Sequence, residues 1–287
     1  MLGRRAFTLV ELLVVCGIII LLLAMALPAI QRIRASSDKL ACQNKLHQMG
    51  VAFHLYHSDF QRLPPGVTDF SDPFTPPMPF LAWSARLLPY LEMDDIWKQI
   101  TLNYQTSKQF VTAPHLIRFR PLALFRCPTE DREKMPGMPG LTSYLGNTGL
   151  SYLEMNGTLY TNSKVRWTDV RDGLSHTLLV GERPPNHDGS LGWWYAGMGQ
   201  EMTGSLDTHL GVREVVAPSR GSCPYGPIWF RPDSVDNYCA QFHFWSLHQG
   251  GAFFLFADGS VRFLAYSADP IMPALATRAG NETIALE

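Results

Sequence analysis

The chain has 287 residues, a formal net charge of −1, 17% charged and 11% aromatic residues, and 21 prolines. That length allows one large domain or two small ones, each with a real hydrophobic core. Near-zero charge with scattered basic residues excludes a nucleic-acid binder held by phosphate contacts, and few charges with many prolines point to a loop- and strand-rich exported domain.

Residues 1–6 form a short leader containing Arg4 and Arg5, Phe7-Thr8-Leu9-Val10-Glu11 follows, and residues 12–30 carry no charge. Those nineteen uncharged residues are enough to cross a bilayer as a helix. Arg4 and Arg5 favour a cytoplasmic N-terminus, while Arg32 and Arg34 just beyond the apolar run pull the other way. Glu11 does not suit a plain anchor, because a carboxylate inside an apolar run is costly unless paired. Cleavage between Ala6 and Phe7 would create a positive α-amine on Phe7. In a bundle of staggered copies, Glu11 of one subunit would neutralise that amine on its neighbour and so fix register.

The run Arg5-Ala6-Phe7-Thr8-Leu9-Val10-Glu11 resembles the signal cut and N-methylated by prepilin peptidase in type IV pilins and type II secretion pseudopilins, with Ala6 where Gly is usual. The resemblance implies a bacterial inner-membrane protein with a single pass, a cytoplasmic N-terminus and an extracytoplasmic head. Its implied partners are prepilin peptidase and other pilin-like subunits. Three plainer readings compete: a signal-peptidase site after Ala24-Met25-Ala26, a twin-arginine signal, and an uncut anchor. Glu11 argues against all three.

Beyond the apolar run, Cys42, Leu46, Met49, Phe53 and Tyr56 recur at helical spacing, so one helix is expected from residue 7 to about 58, with Pro28 as a kink. At 1.5 Å per residue it would be about 75 Å long. The organisation is then leader 1–6, membrane segment 7–30, continuing helix 31–60 and head 61–287. Six prolines within 63–79 read as a linker or surface loop, and 82–100 as two short helices broken at Pro89. Strands are expected at 116–125, at 151–154 and 158–161 around the hairpin signal Asn156-Gly157, at 177–181 and at 192–196. A further hairpin joins 253–256 to 261–264 through Ala257-Asp258-Gly259-Ser260, and a short helix closes the chain over 269–279. The fold class is α+β: a long N-terminal helix packed on a mainly antiparallel sheet.

Of five cysteines, Cys16 lies in the apolar run. Cys42, Cys127, Cys223 and Cys239 allow three pairings; Cys223–Cys239 is preferred for its closeness in sequence, with Cys42–Cys127 as complement. Buried free thiols are the alternative. His248 is followed by nine residues and then Asp258-Gly259. With ACQNKLHQMGVAFHLYH, LPPG, LLPYLE, CPTE, SYLGNTG, DVRDGLSHTLLVGE and ALATRAGNE in order, the chain is similar to an H-X9-DG family of prepilin-type proteins, abundant in planctomycete-like bacteria, that contains a domain of unknown function. Asp258-Gly259 suits a tight turn, and His248 is placed to bond a carbonyl or the Asp258 carboxylate across the hairpin.

Other constellations are weaker. His54 and His57 have metal-ligand spacing on a helix but no third ligand that the sequence places beside them, and His57 with Asp59 reads as a solvated helix end. Asp233, Asp236 and Asn237 offer oxygen ligands for Ca2+, which some pseudopilins bind in their heads, without EF-hand spacing. Ser175-His176 reads as a turn into a strand, and Trp193-Trp194-Tyr195 as core packing rather than a sugar- or protein-binding platform. The functional expectation is a structural pilin- or pseudopilin-like subunit without catalytic residues, metal or cofactor. The rival is a membrane-anchored binding module that never polymerises, with a carbohydrate or protein ligand; an exported hydrolase using His248 and Asp258 ranks third.

Overall fold

The computed structural model describes residues 9–71, 76–130, 139–186, 188–221, 223–224 and 226–282. The expected processing pair, Ala6 and Phe7, lies outside the described residues. The chain divides into two compact units, Met1–Leu40 and Ala41–Glu287. One helix, α1 (Leu9–Phe60), continues from the first into the second, with Glu11 in its first turn and Pro28 inside it. In the first unit its apolar side chains, Leu12, Leu13, Ile18 and Ile20 among them, are exposed. An 18-residue window there is apolar enough to cross a membrane, and none of it is buried.

In the second unit, Cys42, Leu46, Met49, Phe53 and Tyr56 of α1 are all buried. This is the seam read from the sequence. Phe53 stacks on Trp83 with ring centroids 5.3 Å apart. Gly50 sits on the same face because a Cβ there would come within 2.9 Å of Leu255 Cδ1 and 3.3 Å of the Gly259 Cα. After α1 come a short helix α2 (Trp83–Arg86), a 3-10 turn (Leu88–Leu91) opened by Pro89, and α3 (Asp94–Thr106).

Five strands form one sheet: β1 (Tyr144–Gly149), β2 (Leu178–Glu182), β3 (His209–Gly211), β4 (Gly251–Phe256) and β5 (Val261–Ala265), in the order β3-β1-β2-β4-β5. β1 and β3 are parallel and the other pairs antiparallel. The period of two divides β4 between two cores. Phe253 and Leu255 join the core that contains the α1 seam, Trp83, Phe125 and Trp194. Ala252, Phe254 and Phe256 join a second core with Phe230, Phe242 and the short helix α4 (Met272–Ala276). The sheet is therefore covered on both faces, with the Ala41–Phe60 part of α1 on one of them.

Several expected elements differ. Residues 116–125 form two 3-10 turns (Leu116–Phe119 and Ala123–Phe125) rather than a strand: Pro121 brings no donor, and the N–H groups of Arg118, Arg120 and Phe125 donate three residues back, to the carbonyls of His115, Ile117 and Leu122. Asn156-Gly157 does not close a hairpin: Asn156 Oδ1 accepts from the Leu150 N–H, and the Gly157 N–H donates to the Thr148 carbonyl, folding the segment back on the end of β1. Residues 192–196 make only isolated bridges, Leu141–Trp193 and Leu81–Ala196. Most of the described part of the proline-rich stretch is packed into the head and is not a surface linker. Leu63, Val67, Thr68 and Met78 are buried, and the Leu63 N–H donates to the Val165 carbonyl.

Truncating Phe53 removes a ring from the centre of the α1 contact. Phe53→Ala should lower the unfolding free energy by about 3–5 kcal/mol in denaturant titrations of the detergent-solubilised chain. Leu55→Ala, at a site 47% exposed on the same helix, should change it by less than about 1 kcal/mol.

His209, at the start of β3, has Nε2 bonded to the Thr203 carbonyl at 2.8 Å, a buried Nδ1 without a hydrogen-bond partner, and a pKa pulled down by burial to about 4. The unfolded imidazole takes up a proton near its ordinary 6.5 while the folded one resists, so this residue's contribution falls as pH drops through that window. Between pH 7 and pH 4, wild type should lose roughly 2–3 kcal/mol more stability than His209→Gln, read from paired denaturant titrations.

Candidate functional site

Four side chains from four separate segments meet under one end of the sheet. Cys42 comes from the buried face of α1, Cys127 follows the 3-10 turn Ala123–Phe125, Glu182 ends β2, and His248 lies in the loop before β4. All four are buried. One ligand-type atom from each, two sulfurs, an imidazole nitrogen and a carboxylate oxygen, lies within 4.8 Å of the others.

Each side chain is held by its surroundings. The Cys127 N–H donates to Ser143 Oγ at 3.1 Å, and Cys42 and Cys127 form a disulfide with Cα atoms 5.5 Å apart. Glu182 Oε2 accepts from the Phe253 N–H at 2.8 Å, which orients the carboxylate. Oε1 is buried without a hydrogen bond and lies 3.5 Å from His248 Nε2. His248 Nε2 is also 3.5 Å from Cys127 Sγ, and its backbone N–H donates to Ser246 Oγ, which in turn donates to the Gly251 carbonyl. Tyr144 is the cross-strand partner of Glu182; burial and that carboxylate both push its phenol upward, and its hydroxyl has no hydrogen-bond partner. A cavity of about 10 Å³, the size of one water, is lined by Cys127, Ser143, Glu182 and Ser246 among others.

Sequence reasoning named three of these four residues but not Glu182 or the convergence. The missed signal is a carboxylate directly ending the apolar run 178–181, where a buried strand has no use for a charge unless something answers it.

The other half of the H-X9-DG motif lies elsewhere. Asp258 Oδ1 accepts from the backbone and hydroxyl of Ser260, Oδ2 lies 3.9 Å from Arg262, and Gly259 has φ of +85°. The turn abuts α1, where His47 Nδ1 lies 3.4 Å from the Gly259 carbonyl. His248 therefore bonds neither Asp258 nor a carbonyl of that hairpin; β4 runs between them, and six residues of strand span about 20 Å.

The remaining sites are occupied by packing. His54 and His57 stack on Trp167 at 4.8 and 5.1 Å, and His57 Nε2 accepts from the Trp167 N–H. Burial first, then His54, pulls the His57 pKa down. Asp233 Oδ2 meets His243 Nε2 at 2.9 Å while Oδ1 accepts from Ser234 N and Asn237 Nδ2. Burial pushes its carboxyl up, but the bonds from His243, Asn237 and Ser234 outweigh this and hold it below its ordinary value. Those bonds engage both oxygens of the Asp233 carboxylate. Ser175 Oγ and His176 Nδ1 are 3.0 Å apart in a 3-10 turn entering β2. Trp194 and Tyr195 are buried. Cys223 and Cys239 form a second disulfide, and Cys16 is a free, exposed thiol.

A family model described as a protein of unknown function (DUF1559) matches residues 31–271, which include all four clustered residues and Asp258-Gly259. No curated protein and no solved structure matches the chain.

The Cys42–Cys127 bond ties α1 to a segment 85 residues away. Replacing both cysteines by serine should lower the unfolding free energy by about 2–5 kcal/mol in denaturant titrations. Cys16→Ser should leave it within about 0.5 kcal/mol of wild type.

Proposed function

The chain belongs to the DUF1559 family, and on that premise we propose that it is a non-enzymatic, pilin-like subunit anchored in the bacterial inner membrane by a single pass. Prepilin peptidase would cut between Ala6 and Phe7 and methylate the new N-terminus. Other subunits would be met through the apolar part of α1, and the head would face outward as a contact surface.

The observation that carries this reading is α1 itself. One continuous helix presents exposed leucines, isoleucines and valines in its first half and a buried seam in its second. Glu11 supports the finer reading. A carboxylate in the first turn of a lipid-facing helix is costly alone and useful when it meets the α-amine of a neighbouring copy.

Mass spectrometry of the mature protein from its native membrane should find N-methylated Phe7 as the first residue. A start at Leu27 would mean ordinary secretion, and an intact Met1 would reduce the helix to a simple anchor. In the same cells, Glu11→Ala should abolish recovery in sheared filament fractions while membrane insertion persists. Unchanged recovery would sink the assembly role and favour an anchored binding module.

A further inference from the structure

The buried cluster has a use that the chain's sequence pattern does not disclose, because its members are scattered over more than two hundred residues. We propose that Cys42, Cys127, Glu182 and His248 form a redox-gated zinc site, a disulfide when oxidised and a four-ligand S2NO centre for Zn2+ when reduced.

Geometry is the first argument. Around a tetrahedral zinc with bonds of about 2.3 Å to sulfur and about 2.0–2.1 Å to nitrogen or oxygen, N···S separations are about 3.6 Å and N···O separations about 3.4 Å. His248 Nε2 stands 3.5 Å from Cys127 Sγ and 3.5 Å from Glu182 Oε1. His248 Nε2 therefore already stands at zinc-site spacing from two of the other three ligand atoms, and all four lie within 4.8 Å of one another. The largest change required is the parting of two sulfurs from bonding distance to about 3.8 Å once the bond between them is broken.

Unanswered polarity is the second. Glu182 Oε1 is buried without a hydrogen bond, with His248 Nε2 3.5 Å away. A disulfide needs no buried carboxylate next to it. A cation at the centre of the cluster would answer it. One supporting contact is of the kind a metal site uses: the Phe253 N–H hydrogen-bonds the other carboxylate oxygen and so orients the ligand. The Phe253 ring packs edge-on against the His248 imidazole at 5.6 Å. Two thiolates and an imidazole select a borderline-soft ion such as Zn2+ over Ca2+ or Mg2+.

The switch balances as follows. An external dithiol attacks the Cys42–Cys127 bond, is itself oxidised to a disulfide, and leaves two thiols on the protein. Zn2+ then displaces their two protons to solvent and is held by two thiolates, His248 Nε2 and Glu182 Oε1. This site stands whether or not the chain polymerises.

The test uses the full chain in detergent, prepared oxidised or reduced with dithiothreitol and desalted without oxygen, then dialysed against Zn2+ or Co2+. The reduced protein should retain about one metal per chain by elemental analysis and the oxidised protein none. The Co2+ form should show thiolate-to-cobalt charge-transfer absorption. That absorption should persist in Cys223→Ser/Cys239→Ser, and affinity should fall at least about tenfold in His248→Ala and in Glu182→Gln. Reduced wild type holding no stoichiometric metal would overturn the proposal, and that comparison needs no variant to fold. So would charge transfer lost with Cys223 and Cys239, or unchanged affinity in both ligand variants.

Discussion

The sheet has two apolar faces, and neither can be left to water. The segment of α1 from Cys42 to Tyr56 covers one of them, and most of the head is arranged around that cover. Gly50 lets the helix approach the β4–β5 hairpin, whose Asp258-Gly259 turn ends against α1. Lys45 reaches the carbonyls of Ala123 and Arg126, both at 2.7 Å, and steadies the segment that presents Cys127. Its ammonium is disfavoured first by burial and then by Arg126, so those two carbonyl bonds are what keep it in place. His54 and His57 clasp Trp167 from the same helix. The head thus takes its core from the polypeptide that also supplies the apolar helix, and the sheet cannot bury its face without it.

That dependence explains which parts of the fold could be read in advance. The seam on α1 and the alternation in β4 are local periodicities, visible in a dozen residues. The strand β1 was invisible because Tyr-Leu-Gly-Asn-Thr-Gly reads as a loop, yet all six residues are buried. Asn147 belongs there because its Nδ2 donates to the carbonyls of Leu178 and Ala276, a partnership set by tertiary packing. β3 has three residues, too few for any pattern. In the opposite direction, 116–125 has the apolar composition of a strand, but Pro121 interrupts it and the backbone bonds locally in 3-10 turns. Asn156-Gly157 is a true turn signal whose asparagine oxygen was claimed by Leu150 instead of closing a hairpin.

The candidate site was legible by residue type and not by arrangement. Cysteines and a histidine announce themselves in a sequence, whereas Glu182 hides at the end of an apolar run. The nine-residue spacing between His248 and Asp258 invites the idea that the two side chains meet. In the structure it measures one strand with its flanking turns, so the two ends of β4 serve different neighbours: His248 faces Glu182 and Cys127, while Asp258-Gly259 faces α1.

Cys42 belongs to both halves of this account. It begins the buried seam of α1 and is one of the four clustered ligand atoms. Its helix is fixed by packing along the seam from Leu46 to Tyr56, whereas Cys127 sits in a turn between a 3-10 segment and Thr129, held by Ser143 and by the two Lys45 bonds nearby. If the sulfurs part, the packed helix resists and the turn yields. The required displacement is about 2 Å, small enough for a loop and large for an interior packed like a crystal. A change of state at the cluster would therefore be expressed in the Cys127 turn and the loop before β4, leaving the sheet and the α1 cover in place.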